Sequence, residues 1–157
     1  MSSLVYGKSK EVAKWVGERI PFISGGFGLC EAIGVLSKDS GNIIAGVVYH
    51  DYYPEYKNIQ LSIASSNPMW ARMGNIISLL EYPFEQLGVY KCGILTPIDN
   101  KKSLRFTKHL GFTVEAILDH QFGQGCHAVA SRMLLPEFKK IKEKYHGKRI
   151  EFTTTSA

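Results

Sequence analysis

NIQLSIASSNPMWARMGNIISLLEYPFEQLGVYKCGILT, residues 58–96, is the stretch that decides the architecture. It opens on an alternating run, 58–64, that puts Ile59, Leu61 and Ile63 on one face, the signature of a half-buried strand that can extend to Ser65. Ser65, Ser66, Asn67 and Pro68 are turn formers and end it. From about Gly74 to Leu87, the apolar residues Ile76, Ile77, Leu80, Phe84 and Leu87 recur on one helical face. Pro83 falls inside that helix. Its ring removes a backbone donor and crowds the preceding turn, a cost of about 3 kcal/mol that predicts a kink or an early end. Residues 90–96 are again strand-like. Strand, helix, strand in this order predicts a parallel pair joined by a crossover, right-handed as such crossovers are.

Upstream, residues 8–20 carry Val12, Trp15, Val16 and Ile20 near helical spacing, and Pro21, Gly25, Gly26 and Gly28 then break the pattern. Runs 31–37 and 43–53 flank the turn-forming stretch 38–42, which predicts a β-hairpin. Downstream, a helix over 100–110 is closed by Gly111 at C′. Strands over 113–122 and 127–135 surround Gly123, Gln124 and Gly125, and Pro136 suits the first turn of a last helix ending near Lys148. The expected class is α/β (α+β mixed): a twisted, mixed, mostly antiparallel sheet with helices on both faces. One domain over residues 1–150 accounts for the pattern, with 151–157 as a flexible tail.

The chain has 157 residues, 45% hydrophobic and 21% charged, an ordinary globular balance for one core. No apolar run approaches the roughly 20 residues that span a bilayer, so no membrane partner is expected. Residues 1–10 lack a secretory h-region. Cys30, Cys92 and Cys126 are odd in number and far apart, which argues against disulfides and a zinc knuckle and for a reducing cytoplasm. Net charge is +5, of which residues 137–151 contribute +3. That excess suits an anionic ligand such as nucleic acid or the phosphates of coenzyme A, and equally a solvated helix face. A nucleic-acid-binding module would interleave basic and aromatic residues; in 49–56 the tyrosines are interrupted by Asp51 and Glu55 instead.

Asn100 with Ser103, then Leu110-Gly111-Phe112, then Glu115 and a closing strand with Met133 resemble the N-x-x-S, L-G-F, E-G pattern of the GNAT superfamily of N-acyltransferases. The resemblance is to the branch that includes the RimJ/RimL ribosomal-protein acetyltransferases, with Ala116 where that pattern has glycine. It implies a GNAT-like fold, acetyl-CoA as co-substrate, no metal, and a primary amine as acceptor, either a small molecule or a protein. It is compatible with a homodimer.

The family's pyrophosphate loop falls at the strand–helix junction, 63–74. A helix N-terminus presents unpaired N–H groups and partial positive charge, which suits a pyrophosphate. Arg72, Met73, Gly74 and Asn75 would open that helix, the glycine allowing close approach and the arginine pairing with a phosphate. Arg72 lies two positions before Gly74 and no second glycine follows, unlike the family's (Q/R)-x-x-G-x-(G/A). Asn100 would cap its helix and, by resemblance, touch the pantetheine arm, with Ser103 one turn on facing the same crevice. Lys101 and Lys102 read as solvated.

Acetyl transfer needs a neutral attacking amine, donors for the oxyanion and a proton for the leaving thiolate. The resemblance implies that the strand through Ile63, Ala64 and Ser65 splays from its neighbour and offers N–H donors. Many relatives carry a tyrosine acid where this chain has Thr107, beside Phe106, so Ser103 or water would serve the thiolate. His50 is the candidate base, because imidazole ordinarily titrates near about 6.5. Strand alternation predicts Tyr49 and Asp51 on the face opposite His50. Glu31, Glu81, His120 and His127 are further titratable groups, and Cys92 reads as core. No triad or metal-ligand spacing stands out, which favours direct transfer in a ternary complex. The alternative within the same fold is a coenzyme-A-binding scaffold without turnover.

Overall fold

The computed structural model describes residues 2–20 and 26–155, with side chains through Gly147; Pro21 and Gly25 lie outside the described residues. The elements run β1 (Ser2–Val5), α1 (Ser9–Gly17), β2 (Cys30–Ser37), β3 (Ile43–Tyr53), β4 (Asn58–Ser65), α2 (Met73–Glu81), β5 (Lys91–Pro97), α3 (Lys101–His109), β6 (Thr113–Leu118), β7 (Ala128–Leu134) and α4 (Leu135–Thr155). The seven strands form one sheet in the order β1-β2-β3-β4-β5-β7-β6. Among the described residues only β4 and β5 pair in parallel, as a strand–helix–strand crossover requires. Among the described residues no helix is long and apolar enough to cross a membrane.

Alternation along the strands divides the core. Val47 and Tyr49 of β3 join Ile76, Ile77, Leu80 and Phe138 on the face covered by α2 and α4. Val48 between them joins Val12 and Val16 of α1 on the other face. Helix α1 packs closely over two glycines, Gly34 and Gly46, which sit opposite each other on β2 and β3. A Cβ on Gly46 would meet Val16 Cγ2 at 2.7 Å and Val12 Cγ1 at 2.9 Å. Gly46→Val should therefore cost about 1–3 kcal/mol by overpacking, read as a lower denaturation midpoint at unchanged m-value.

Pro83 acts as its sequence predicts. Helix α2 ends at Glu81 and passes into a π-turn, Tyr82–Gln86, closed by the Leu87 N–H donating to the Tyr82 carbonyl at 3.0 Å. Proline has no N–H for the carbonyl four residues back, that of Leu79. The buried Tyr49 hydroxyl donates to it instead, at 2.6 Å. Gly111 follows α3 at φ 101, and a Cβ there would meet Ile141 Cδ1 at 2.8 Å.

Other boundaries differ from expectation. Strand β1 was not signalled, and α1 ends at Gly17 rather than near 20. Strand β6 stops at Leu118 instead of 122, and α4 continues to Thr155, past Lys148. Cys92 is core, as read from its strand, and burial pushes its thiol up. Cys126 is exposed. Native protein at neutral pH should thus be alkylated at Cys126 and spared at Cys92, as peptide mass mapping would reveal. The sign of the linkage is fixed: an acid held protonated by the fold stabilises it below the unfolded pKa, 9.0 for this thiol, and loses that contribution as pH rises beyond it.

Candidate active site

The pairing of β4 with β5 covers three positions, Asn58–Lys91, Ile59–Cys92 and Gln60–Gly93, and then stops. Both strands continue, β4 against β3 and β5 against β7, so they diverge. The Gln60 side chain lies over Gly93 at the point of divergence, where a glycine Cβ would meet Gln60 Nε2 at 2.6 Å. Beyond it opens a cleft of about 660 Å³.

Which amides face the cleft follows from strand geometry. The Ser66 N–H donates to Ile44 on β3 at 2.8 Å, and the Lys57 carbonyl accepts from Lys91 on the β5 side at 3.2 Å. Backbone groups alternate sides along a strand, so even-numbered residues of β4 bond to β3 and odd-numbered ones turn toward β5. The N–H groups of Ile63 and Ser65 therefore point into the opening, past the last β5 partner.

The β4 wall of the cleft continues through Ser66, Asn67 and Pro68. Asn67 caps the 3₁₀ turn Pro68–Trp70 by accepting from the Met69 N–H at 2.9 Å, and the Ser65 hydroxyl donates to the Asn67 carbonyl at 3.2 Å. The opposite wall is the start of α3. Asn100 accepts from the Ser103 N–H at 3.1 Å, so it is the expected N-cap, and both residues line the cleft. Thr107 also lines it and donates to the Ser103 carbonyl at 2.8 Å. Lys102, read as solvated, stands exposed on this wall, and Arg19 contributes a second cation.

His50 closes the near end. Its Nε2 lies 2.8 Å from Ser62 Oγ and its Nδ1 2.6 Å from Asp51 Oδ2. A carboxylate only accepts, so beside an ionised Asp51 the Nδ1–H is the donor, and in the neutral imidazole Nε2 is then the nitrogen that accepts from the serine hydroxyl. All three residues line the cleft. The alternation expected at Asp51 fails for a structural reason: the β3–β4 register shifts between His50 and Tyr53, and Asp51 adopts φ 51. This bulge returns its carboxylate to the side of His50. Ser62 is reached diagonally, since His50 pairs with Gln60.

The cleft thus gathers His50, Ile63, Ala64, Ser65, Asn100 and Ser103 from the expected set. Arg72, Met73, Gly74 and Asn75 are not among its lining residues. Gly74 faces α4, where a Cβ would meet the Tyr145 hydroxyl at 3.0 Å. Asn75 donates to the Trp70 carbonyl and Ser2 Oγ. Both are engaged in packing, and Arg72 is exposed. Glu31 accepts from Ser9 at 2.6 Å, and Glu81 lies 3.9 Å from Lys142. His120 and His127 brace the β6–β7 loop, each Nδ1 accepting a backbone N–H, while Phe122 of that loop reaches the cleft. Among the described residues no three His, Cys, Asp or Glu side chains group as metal ligands.

No family model matches the sequence, and no curated protein matches it. Solved structures do. A mutant form of the spermidine/spermine N-acetyltransferase SpeG from Vibrio cholerae superimposes with TM-score 0.72 at 14% identity, over 89% of this chain and 98% of that one. The dodecameric spermidine N-acetyltransferase of the same organism gives 0.68 at 14%, over 87% and 95%. The ribosomal-protein-S5-alanine acetyltransferase from Vibrio fischeri gives 0.57 at 14%, over 68% of this chain, which spans 62% of that one. At such identities the likeness is one of fold: this chain has the mixed α/β fold of the GNAT acetyltransferases.

Proposed function

We propose that this protein is an N-acetyltransferase that moves the acetyl group of acetyl-CoA directly onto a primary amine. The observation that carries the reading is the divergence of β4 from β5, beside a cleft of about 660 Å³ lined by Ile63 and Ser65. An extended arm bearing its own amides fits beside a strand with unpaired backbone groups. The cleft suits the anionic end as well, since Lys102 and Arg19 line it.

In this reading the Ile63 and Ser65 N–H groups hold the thioester oxygen as it becomes an oxyanion. His50, held by Asp51, accepts the amine proton through the Ser62 hydroxyl. Asn100 and Ser103 position the arm near the thioester, and Ser103 or a water serves the departing thiolate. The acceptor we assign is a protein or peptide amine, following the RimJ/RimL-like pattern of Asn100, Ser103 and Leu110-Gly111-Phe112. Three free cysteines lead us to assign the cytoplasm.

Radiolabelled acetyl-CoA offered with free-amine peptides and, separately, with polyamines tests this. Label on the peptide amine is expected. Acetyl-CoA bound without label on any amine and without release of free coenzyme A would make the protein a coenzyme-A-binding scaffold. Asn100 separates capping from cofactor contact: Asn100→Ala should cost about 1 kcal/mol of stability, whereas Asn100→Ser restores the cap. Both should raise KM for acetyl-CoA about two- to tenfold, the worth of one hydrogen bond. An unchanged KM in Asn100→Ser would remove Asn100 from the site.

A further inference from the structure

We infer that Ser62, His50 and Asp51 constitute a nucleophilic triad, and that when no amine is bound Ser62 takes the acetyl group and releases it to water. The protein would then also be a thioester hydrolase working through an acetyl-serine. This inference rests on the cleft being the acetyl-CoA site.

Three observations carry it. First, the hydrogen-bond chain is complete and polarised: carboxylate to Nδ1 at 2.6 Å, Nε2 to serine hydroxyl at 2.8 Å. In the neutral imidazole with its Nδ1–H on an ionised Asp51, the lone pair of Nε2 faces the serine, which is what a serine hydroxyl needs to act as a nucleophile. The same contact that relays an amine proton puts the Ser62 hydroxyl on the base when no amine is bound. Second, Ser62 lines the cleft two residues past the last β4–β5 pair, with the inward Ile63 amide following it in the chain. Nucleophile and oxyanion donor are adjacent. Third, the chain spends an unusual conformation on the arrangement. Asp51 sits at φ 51, uncommon for a residue other than glycine, and the bulge there is what brings its carboxylate to His50.

The chemistry balances. Ser62 Oγ forms a bond to the thioester carbonyl carbon as its proton passes to His50 Nε2. The carbon–sulfur bond breaks and that proton goes to the coenzyme A thiolate. Water then attacks the acetyl-serine, giving a proton to His50 Nε2; the ester bond breaks, and the proton returns to Ser62 Oγ. The products are acetate, a proton and free coenzyme A. Asp51 is a positioning residue in both halves.

Two reagents test it by intact-mass and peptide mapping rather than by turnover alone. Diisopropyl fluorophosphate reports an activated serine without any need for coenzyme A, and acetyl-CoA without amine reports the acyl-enzyme after acid quench. Both should add their group at Ser62, with coenzyme A released from the second. Ser62→Ala should abolish both adducts, and His50→Gln should reduce them at least about a hundredfold in rate. Asp51→Asn keeps a side chain that tolerates φ 51 and should slow labelling while leaving acetyl-CoA affinity unchanged, a split that a merely structural role would not give. Acetyl-CoA binding without modification of Ser62 by either reagent overturns the hydrolase alone. Labelling by the fluorophosphate without acetyl-CoA binding overturns the cofactor reading of the cleft, and the hydrolase with it. Labelling undiminished in His50→Gln overturns the triad.

Discussion

His50→Gln will lower kcat/KM for amine acetylation about 10²- to 10⁴-fold at neutral pH and leave the affinity for acetyl-CoA where it was. Glutamine is close to histidine in reach and can still hydrogen-bond, but its amide cannot take a proton at neutral pH. The substitution therefore removes proton acceptance while retaining the neighbours, Asp51 at 2.6 Å and Ser62 at 2.8 Å. At about 1.4 kcal/mol per decade, the loss corresponds to roughly 3–6 kcal/mol of transition-state stabilisation. Steady-state kinetics with a saturating amine, together with calorimetry of acetyl-CoA, separates the two parameters. Activity within a few-fold of wild type would mean that His50 is a structural histidine and the amine loses its proton to solvent.

Trp70→Ala will lower stability by about 3–5 kcal/mol, a large share of the roughly 5–15 kcal/mol of a typical domain. Trp70 is 1% exposed and ends the 3₁₀ turn after β4. Its ring lies 5.6 Å from that of Phe106 on α3, so one side chain spans from the β4 loop to the helix on the opposite wall of the cleft. Its carbonyl accepts from Asn75 at 2.8 Å, which ties the turn to the start of α2. Removing the indole leaves a cavity that the surrounding sheet and helices fill only in part, and it loosens both walls. Thermal or urea unfolding reads the cost. Trp70→Phe provides the control, because Nε1 has no hydrogen-bond partner and its loss breaks none. Phenylalanine should recover most of the stability. A Trp70→Ala protein with an unchanged midpoint would show that the turn is not held by this residue.

The fold was legible where a single stretch of chain dictates its own structure. Alternation at Ile59, Leu61 and Ile63, and helical spacing from Ile76 to Phe84, were enough for the parallel crossover, and Pro83 marked the end of the regular helix. Asn100 and Gly111 were readable as caps because caps are local. The site was legible only in part. Strand alternation puts Asp51 opposite His50 because it assumes a regular strand, and a bulge reverses it without a glycine to announce it. The link of Ser62 to His50 is not legible in the sequence, because it depends on the register of two strands, which chain order does not specify. The four residues around Gly74 have the composition of an anion-binding helix start. Gly74 faces Tyr145, and that packing depends on where α4 lies. Strand β1 is four residues long and carries too little alternation to stand out.

The reading stands or falls with two backbone amides. In the amide-resolved NMR spectrum of the ¹⁵N-labelled protein, saturating acetyl-CoA should shift the Ile63 and Ser65 resonances and slow their hydrogen exchange by at least about tenfold, the mark of roughly 1.4 kcal/mol of new protection. Exchange at Ala64, already directed to β3, should change much less. If the Ile63 and Ser65 amides exchange at the same rate with and without the ligand, the divergence of β4 from β5 is not where this protein holds its acyl donor.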